Sequence, residues 1–127
     1  MPHLFQKHYT REEANALLPE IRQWLKRLNE QRQELEQADQ RVSSLGEGGR
    51  DTGGELVNNW VRLMADMQQV LLEFQRREIQ IKSLVRGLVD FPAIIGGREV
   101  FLCWEQDEEQ VEFWHDLDTG YAGREHL

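Results

Sequence analysis

A chain of 127 residues is long enough for one domain with its own core, and 30% charged against 39% hydrophobic residues excludes wholesale disorder. Asp and Glu outnumber Lys and Arg by 23 to 15, a net charge of -8 that repels phosphate backbones, so nucleic acid is not an expected partner. The single cysteine, Cys103, excludes an intramolecular disulfide; with no apolar leader in Met1–Tyr9 and no membrane-length apolar run, a cytoplasmic location away from the membrane is expected.

Thr10-Arg11-Glu12-Glu13 reads as a capping box, in which hydroxyl and carboxylate each accept the other residue's amide. Apolar residues then recur at steps of three and four: Ala14, Leu17, Ile21, Trp24, Leu28, Leu35, Ala38, Val42 and Leu45, interrupted only by Gln31. Such a stripe predicts a helix over roughly residues 11–44, about 50 Å long. Pro19 falls inside it and removes one hydrogen bond, which predicts a kink or a short first helix joined to a longer one.

The run Gly46-Glu47-Gly48-Gly49-Arg50-Asp51-Thr52-Gly53-Gly54 ends that helix. No Gly-Lys-Ser/Thr follows and no strand precedes it, so it reads as a hairpin turn rather than a phosphate-binding loop. The second helix repeats the seam at Leu56, Trp60, Leu63, Met67, Val70, Phe74, Ile81, Leu84 and Leu88, with Arg77 as the polar exception. Val57, Val61, Met64 and Leu71 widen its apolar arc beyond what one partner helix covers. Either the chain's own ends or a second subunit must cover it, and the leading expectation is a homodimer or higher homo-oligomer built through the second helix.

Gly87 takes the place of a helix C-cap, and Pro92 forbids further helix. The period then falls to two. Phe91–Ile95, Gly96-Gly97 and Arg98–Trp104 predict a hairpin with a two-glycine turn, and a second turn at Asp107-Glu108 leads to a third strand over 110–115. This register places Phe91, Ala93, Val100, Leu102, Trp104, Val111, Phe113 and His115 on the face toward the helices. Asp90, Cys103 and Glu112 then line up on the other face, with Phe101 and Trp114 beside them. The predicted fold is a single α+β domain over 1–127, predominantly helical. It has a long antiparallel helical hairpin over about 10–87, kinked near Pro19, and a three-stranded antiparallel β-meander with an ordered tail over about 90–127.

Several motifs carry a family resemblance: Tyr9–Pro19 near the start, then Gly87-Leu88-Val89-Asp90-Phe91-Pro92-Ala93, Leu102-Cys103-Trp104, Trp114-His115 and Gly120-Tyr121-Ala122-Gly123-Arg124. On these the chain resembles the prokaryotic family called domain of unknown function 2203. Members carry Gly-Glu after the Cys-Trp strand; here Asp107-Glu108 keeps the glutamate and loses the glycine. The resemblance implies a fold type and no activity.

Glu108, His115 and Arg124 fall on motif positions and are residue types that move protons or bind anions. With Asp90 and the outward Trp114 they form the candidate ligand site, in which Arg124 grips a small carboxylate or phosphate and His115 exchanges a proton. The competing structural reading has His115 satisfied by the backbone and Arg124 pinning the tail. No catalytic nucleophile–base pair is apparent, so an enzyme is not the leading expectation. No cofactor is expected, and no metal: His115, Asp116, Asp118 and His126, or Cys103 with His115, lack the Cys-x-x-Cys or His-Glu-x-x-His spacing of a zinc site. Cys103, mid-strand beside Asp90, is expected to be a buried structural thiol with a raised pKa. The leading functional expectation is a self-associating helical scaffold, with anion binding as the alternative.

Overall fold

The computed structural model describes residues 2–48 and 53–127. Residues 49–52, the middle of the glycine-rich run, lie outside them. Helix α1 spans Arg11–Gly48 and α2 spans Gly53–Arg76. The predicted capping box is present: Thr10 N–H donates to Glu13 Oε1 at 3.0 Å, and Glu13 N–H to Thr10 Oγ1 at 3.1 Å. Beyond it α1 runs unbroken through Pro19, so the chain is not divided there into two helices.

The two helices pair antiparallel. Trp24 meets Phe74 edge-to-face, with ring centroids 5.5 Å apart, and further out Asp39 accepts a hydrogen bond from Trp60 Nε1. In its first half α1 is covered from two sides, by α2 and by the sheet. Leu18 and Leu25 are therefore as deeply buried as Ala14, Ile21 and Leu28, whereas the seam residues Leu17 and Trp24 are half-buried. A single heptad stripe is too narrow an account of a helix with two neighbours. Each fully buried Leu or Ile here contributes about 1.5–3 kcal/mol.

The second helix stops earlier than its seam suggested. Ile81, Leu84 and Leu88 are not helical; they belong to strand β1 (Gln80–Ser83), the turn after it, and β2 (Leu88–Ile95). Termination comes from Glu78, which takes φ 58° and lets the Ile79 amide close back on the Phe74 carbonyl at 3.0 Å. This is a left-handed helix ending made without glycine. Gly87 has φ 66°, but it turns β1 into β2 rather than capping a helix.

The sheet has five antiparallel strands in sequence order, β1 to β5, rather than the three expected. The remaining strands are β3 (Arg98–Glu105), β4 (Phe113–Asp116) and β5 (Glu125–His126), the last following a 3-10 turn at Tyr121–Gly123. The β2–β3 hairpin matches the predicted register, with Ile95 opposite Arg98 and both Gly96 and Gly97 at positive φ, 58° and 76°. That is the turn whose twist suits adjoining strands. Pro92 lies past the end of β1, and its carbonyl accepts the Tyr9 amide at 2.7 Å. Because the N and O of a strand residue face the same neighbour, the missing Pro92 N–H costs no bond to β3.

Strand β4 corrects the predicted register by one residue. His115 opposes Phe101, Trp114 opposes Leu102, and Phe113 opposes Cys103. His115 and Phe113 thus lie on the face away from the helices, and Trp114 turns inward to pack on the core. The cause is the length of the β3–β4 connection: Gln106–Glu112 carries no strand, so a tight two-residue turn does not set the pairing. Val111 still points inward from this loop, and Asn15 Oδ1 accepts its amide at 2.7 Å.

The inner face of the sheet closes the core with Val89, Phe91, Ala93, Val100, Leu102 and Trp104 against α1. The outer face is covered by the chain ends. Residues 4–9 form a strap. The Leu4 and Phe5 amides donate to the Glu99 carboxylate at 2.8 and 3.0 Å, the Gln6 and Lys7 amides donate to Glu78, and Phe5 packs on Phe101. The tail docks through β5, with the Leu127 amide on the Glu112 carbonyl at 2.8 Å.

Candidate functional site

The outer face positions the polar residues singled out from sequence, and it divides them into two pairs with Cys103 between. Asp90 on β2 stands directly opposite Cys103 on β3. The slip in β4 brings His115 in from the other side, so that its Nε2 lies 2.9 Å from Asp90 Oδ2. Both side chains are 2% exposed, and Cys103 is equally buried. The His115 Nδ1 lies 2.6 Å from the Asp116 carbonyl oxygen. A carbonyl only accepts, so Nδ1 carries a proton and Nε2 faces the carboxylate. One further proton therefore lies between Asp90 and His115.

Burial pushes the Asp90 carboxyl above its ordinary pKa, against the opposing pull of His115, the Cys103 thiol and the Lys82 ammonium. Burial also pushes the Cys103 thiol far up, and the neighbouring Asp90 adds to it. The expected reading of Cys103 as a buried, protonated thiol agrees with these surroundings. Asp90 Oδ1, fully shielded from solvent, has no hydrogen-bond partner of good geometry among the described residues, although the thiol is its neighbour.

The second pair is Glu108 with Arg124. The Glu108 carboxylate accepts the Glu105 amide on Oε1 at 2.8 Å and the Arg124 guanidinium on Oε2. Its carbonyl accepts Trp104 Nε1 and Arg22 Nη2, each at 2.9 Å. Arg124 lies over Phe113 at 3.8 Å and over Tyr121 at 4.5 Å, with Glu105 Oε2 4.0 Å from its Nη1. Burial opposes the Arg124 charge, but Glu108 outweighs it and holds the guanidinium pKa above its usual value. Arg86 joins from the β1–β2 turn, bidentate on Glu105 and over Tyr121 at 4.4 Å.

The structure therefore brings Asp90 to His115 and Glu108 to Arg124, as two neighbouring pairs rather than one open pocket. Trp114 is not with them; it faces the helices, with Arg98 over its ring at 5.8 Å. Sequence reasoning left out Lys82, Arg86, Glu105 and Tyr121. Lys82 and Arg86 lie in a segment read as helix and Glu105 just past the second predicted strand, where no motif draws attention to them. Tyr121 stood inside the Gly120–Arg124 motif and was the recoverable one.

The family model described as Uncharacterized conserved protein (DUF2203) matches residues 7–127. No curated protein matches the chain, and no solved structure does. Among the described residues no helix is long and apolar enough to cross a membrane.

Proposed function

Starting from the premise that this chain belongs to the DUF2203 family of uncharacterized conserved proteins, we propose that it is a self-associating scaffold whose second helix pairs with the same helix of another copy. The observation that carries this is an exposed apolar stripe on α2. Val57, Val61 and Met64 are spaced four and three apart, and they are 40%, 52% and 39% exposed. The stripe lies beside the seam used against α1 and continues through Gln68 to Leu72, 37% exposed.

The packing of the hairpin gives the stripe its motive. Core residues extend only to Leu28 on α1, and on α2 the residues packed against that core begin at Met67. Beyond them the helices form a two-layer arm with no sheet beneath it, and Ala38 is the only buried hydrophobic residue in the described part of that arm. Two helices alone leave one apolar flank each in water; a second hairpin across α2 makes four helices and covers it. The heptad-like spacing is self-complementary under a two-fold axis, which a second copy satisfies without further design.

Light scattering across a concentration series tests this. The expected result is a dimer or larger assembly at micromolar concentration, converted to monomer by Val61→Glu with helical circular dichroism unchanged. A wild-type chain that stays monomeric overturns the proposal.

A further inference from the structure

We propose that Asp90, Cys103 and His115 form a binding site for a divalent, borderline-soft metal ion of the Zn²⁺ class. This reverses the expectation from spacing, because the three ligands come from β2, β3 and β4 and meet only across the sheet. One ligand atom from each residue lies within 4.8 Å of the others, and all three residues are buried. Tetrahedral coordination, with Zn–S about 2.3 Å and Zn–N or Zn–O about 2.0–2.2 Å, needs ligand–ligand edges of about 3.2–3.8 Å. The Asp90–His115 separation of 2.9 Å has to open by only a few tenths of an ångström.

Three independent features fit this ion. The Asp116 carbonyl holds the proton of His115 on Nδ1, which orients Nε2 as the ligand atom in the way outer partners commonly set a metal-binding imidazole. Asp90 Oδ1 is a buried oxygen with no hydrogen-bond partner of good geometry among the described residues, a cost that a cation held by this carboxylate lowers. The donor set is the third: a thiol sulfur, an imidazole nitrogen and a carboxylate oxygen together suit a borderline-soft divalent ion, and the protons these ligands give up on binding it pass to solvent.

The groups facing the cluster are Lys82, whose ammonium sits over Phe101 at 5.3 Å, and the Arg124–Glu108 pair near Cys103. Glu108 offsets Arg124, and Lys82 is exposed on a flexible stem, so neither bars the ion. The strap holds Phe5 against Phe101, the residue across from His115, so loading from solvent requires the strap to lift.

The test uses the full chain without a polyhistidine tag, unfolded in denaturant and refolded with about one equivalent of Co²⁺ or Zn²⁺. Refolding removes slow entry as an explanation of failure. The expected results are a near-ultraviolet thiolate-to-cobalt charge-transfer band, tetrahedral visible bands, and release of about two protons per Zn²⁺ in weak buffer. Cys103→Ser abolishes the charge-transfer band. Asp90→Asn, a second variant in case the first fails to fold, weakens Zn²⁺ binding by more than the roughly 10–100-fold that loss of an outer partner costs. His8→Ala leaves binding unchanged, which separates this site from the other ligand cluster, His3, His8 and Glu99 on the strap. Absence of the charge-transfer band after refolding, or binding lost in His8→Ala and kept in Cys103→Ser, overturns the proposal.

Discussion

Replacing Glu108 shows whether the motif residues of the β3–β4 loop hold the fold together. Glu108→Ala removes a carboxylate that accepts the Glu105 amide at 2.8 Å, a bond to a charged acceptor worth about 1.5–3 kcal/mol. It also leaves the Arg124 guanidinium, only 9% exposed, without its main partner. Breaking a fully buried pair costs about 3–5 kcal/mol, but Glu108 is 20% exposed and Glu105 remains 4.0 Å away, so about 1–2 kcal/mol is the expected share. The sum is about 2.5–5 kcal/mol. At a chain length of 127 residues, 1 kcal/mol lowers the melting temperature by about 4 °C, which puts Glu108→Ala about 10–20 °C below wild type. Glu108→Gln keeps an acceptor for the Glu105 amide and loses mainly charge, so about 1 kcal/mol is expected. Thermal melts and urea titrations of both variants, with Arg124→Ala closing a double-mutant cycle, give the numbers. A coupling energy of about 1–2 kcal/mol between 108 and 124 is expected. If Glu108→Ala is no worse than Glu108→Gln, and the coupling is within about 0.3 kcal/mol of zero, the carboxylate is not a clamp and the reasoning fails.

Other expectations follow from the same geometry. Gly87→Ala places a Cβ 2.6 Å from the end of the Gln106 side chain and 2.7 Å from its Cβ, on a backbone at φ 66°; urea unfolding shows a loss of about 2 kcal/mol, which Gln106→Ala does not restore because it keeps the clashing Cβ. The strap is acid-sensitive: burial raises the Glu99 pKa, but hydrogen bonds from His8, Leu4 and Phe5 outweigh it and leave the group below its ordinary 4.5. A carboxylate with a lowered folded pKa stabilises the strap above the unfolded value, and that contribution is lost as pH falls through 4.5 toward the folded value. Amide exchange at Leu4 and Phe5 therefore speeds up on acidification by more than the intrinsic rate change explains, and Glu99→Gln shows the fast exchange already at pH 7. Self-association through α2 brings together chains of net charge -8, so raising salt tightens it; sedimentation at low and high ionic strength that shows the reverse argues for an ionic interface.

The features legible in the sequence were those with a local cause. The Thr10–Glu13 box, the Gly96-Gly97 turn and the inward row Phe91, Ala93, Val100, Leu102 and Trp104 each follow from residues within a few positions of one another. The errors have long-range causes. Ile81 and Leu84 continue a helical spacing past the true end of α2, because Glu78 is an ordinary helix former and gives no sign of its left-handed backbone. The face of His115 depended on how many residues the 106–112 loop spends before pairing resumes, which alternation alone does not count. The same slip set His115 and Asp90 on opposite faces of the predicted sheet, although the two were grouped in one candidate site and Asp90 and Cys103 were correctly placed in one row. Strand β5 has two residues, too few for any periodicity to register.

The strap also has a consequence for biosynthesis. Leu4 and Phe5 leave the ribosome well before Glu99, which holds them and lies 95 and 94 positions further along. At roughly 5–20 residues per second, the amino-terminal segment waits about 5–20 s for its anchor to be translated. Throughout that interval α1 carries Leu18, Ile21 and Leu25 with no sheet to receive them. The helix is completed by β2 and β3, strands translated long after it.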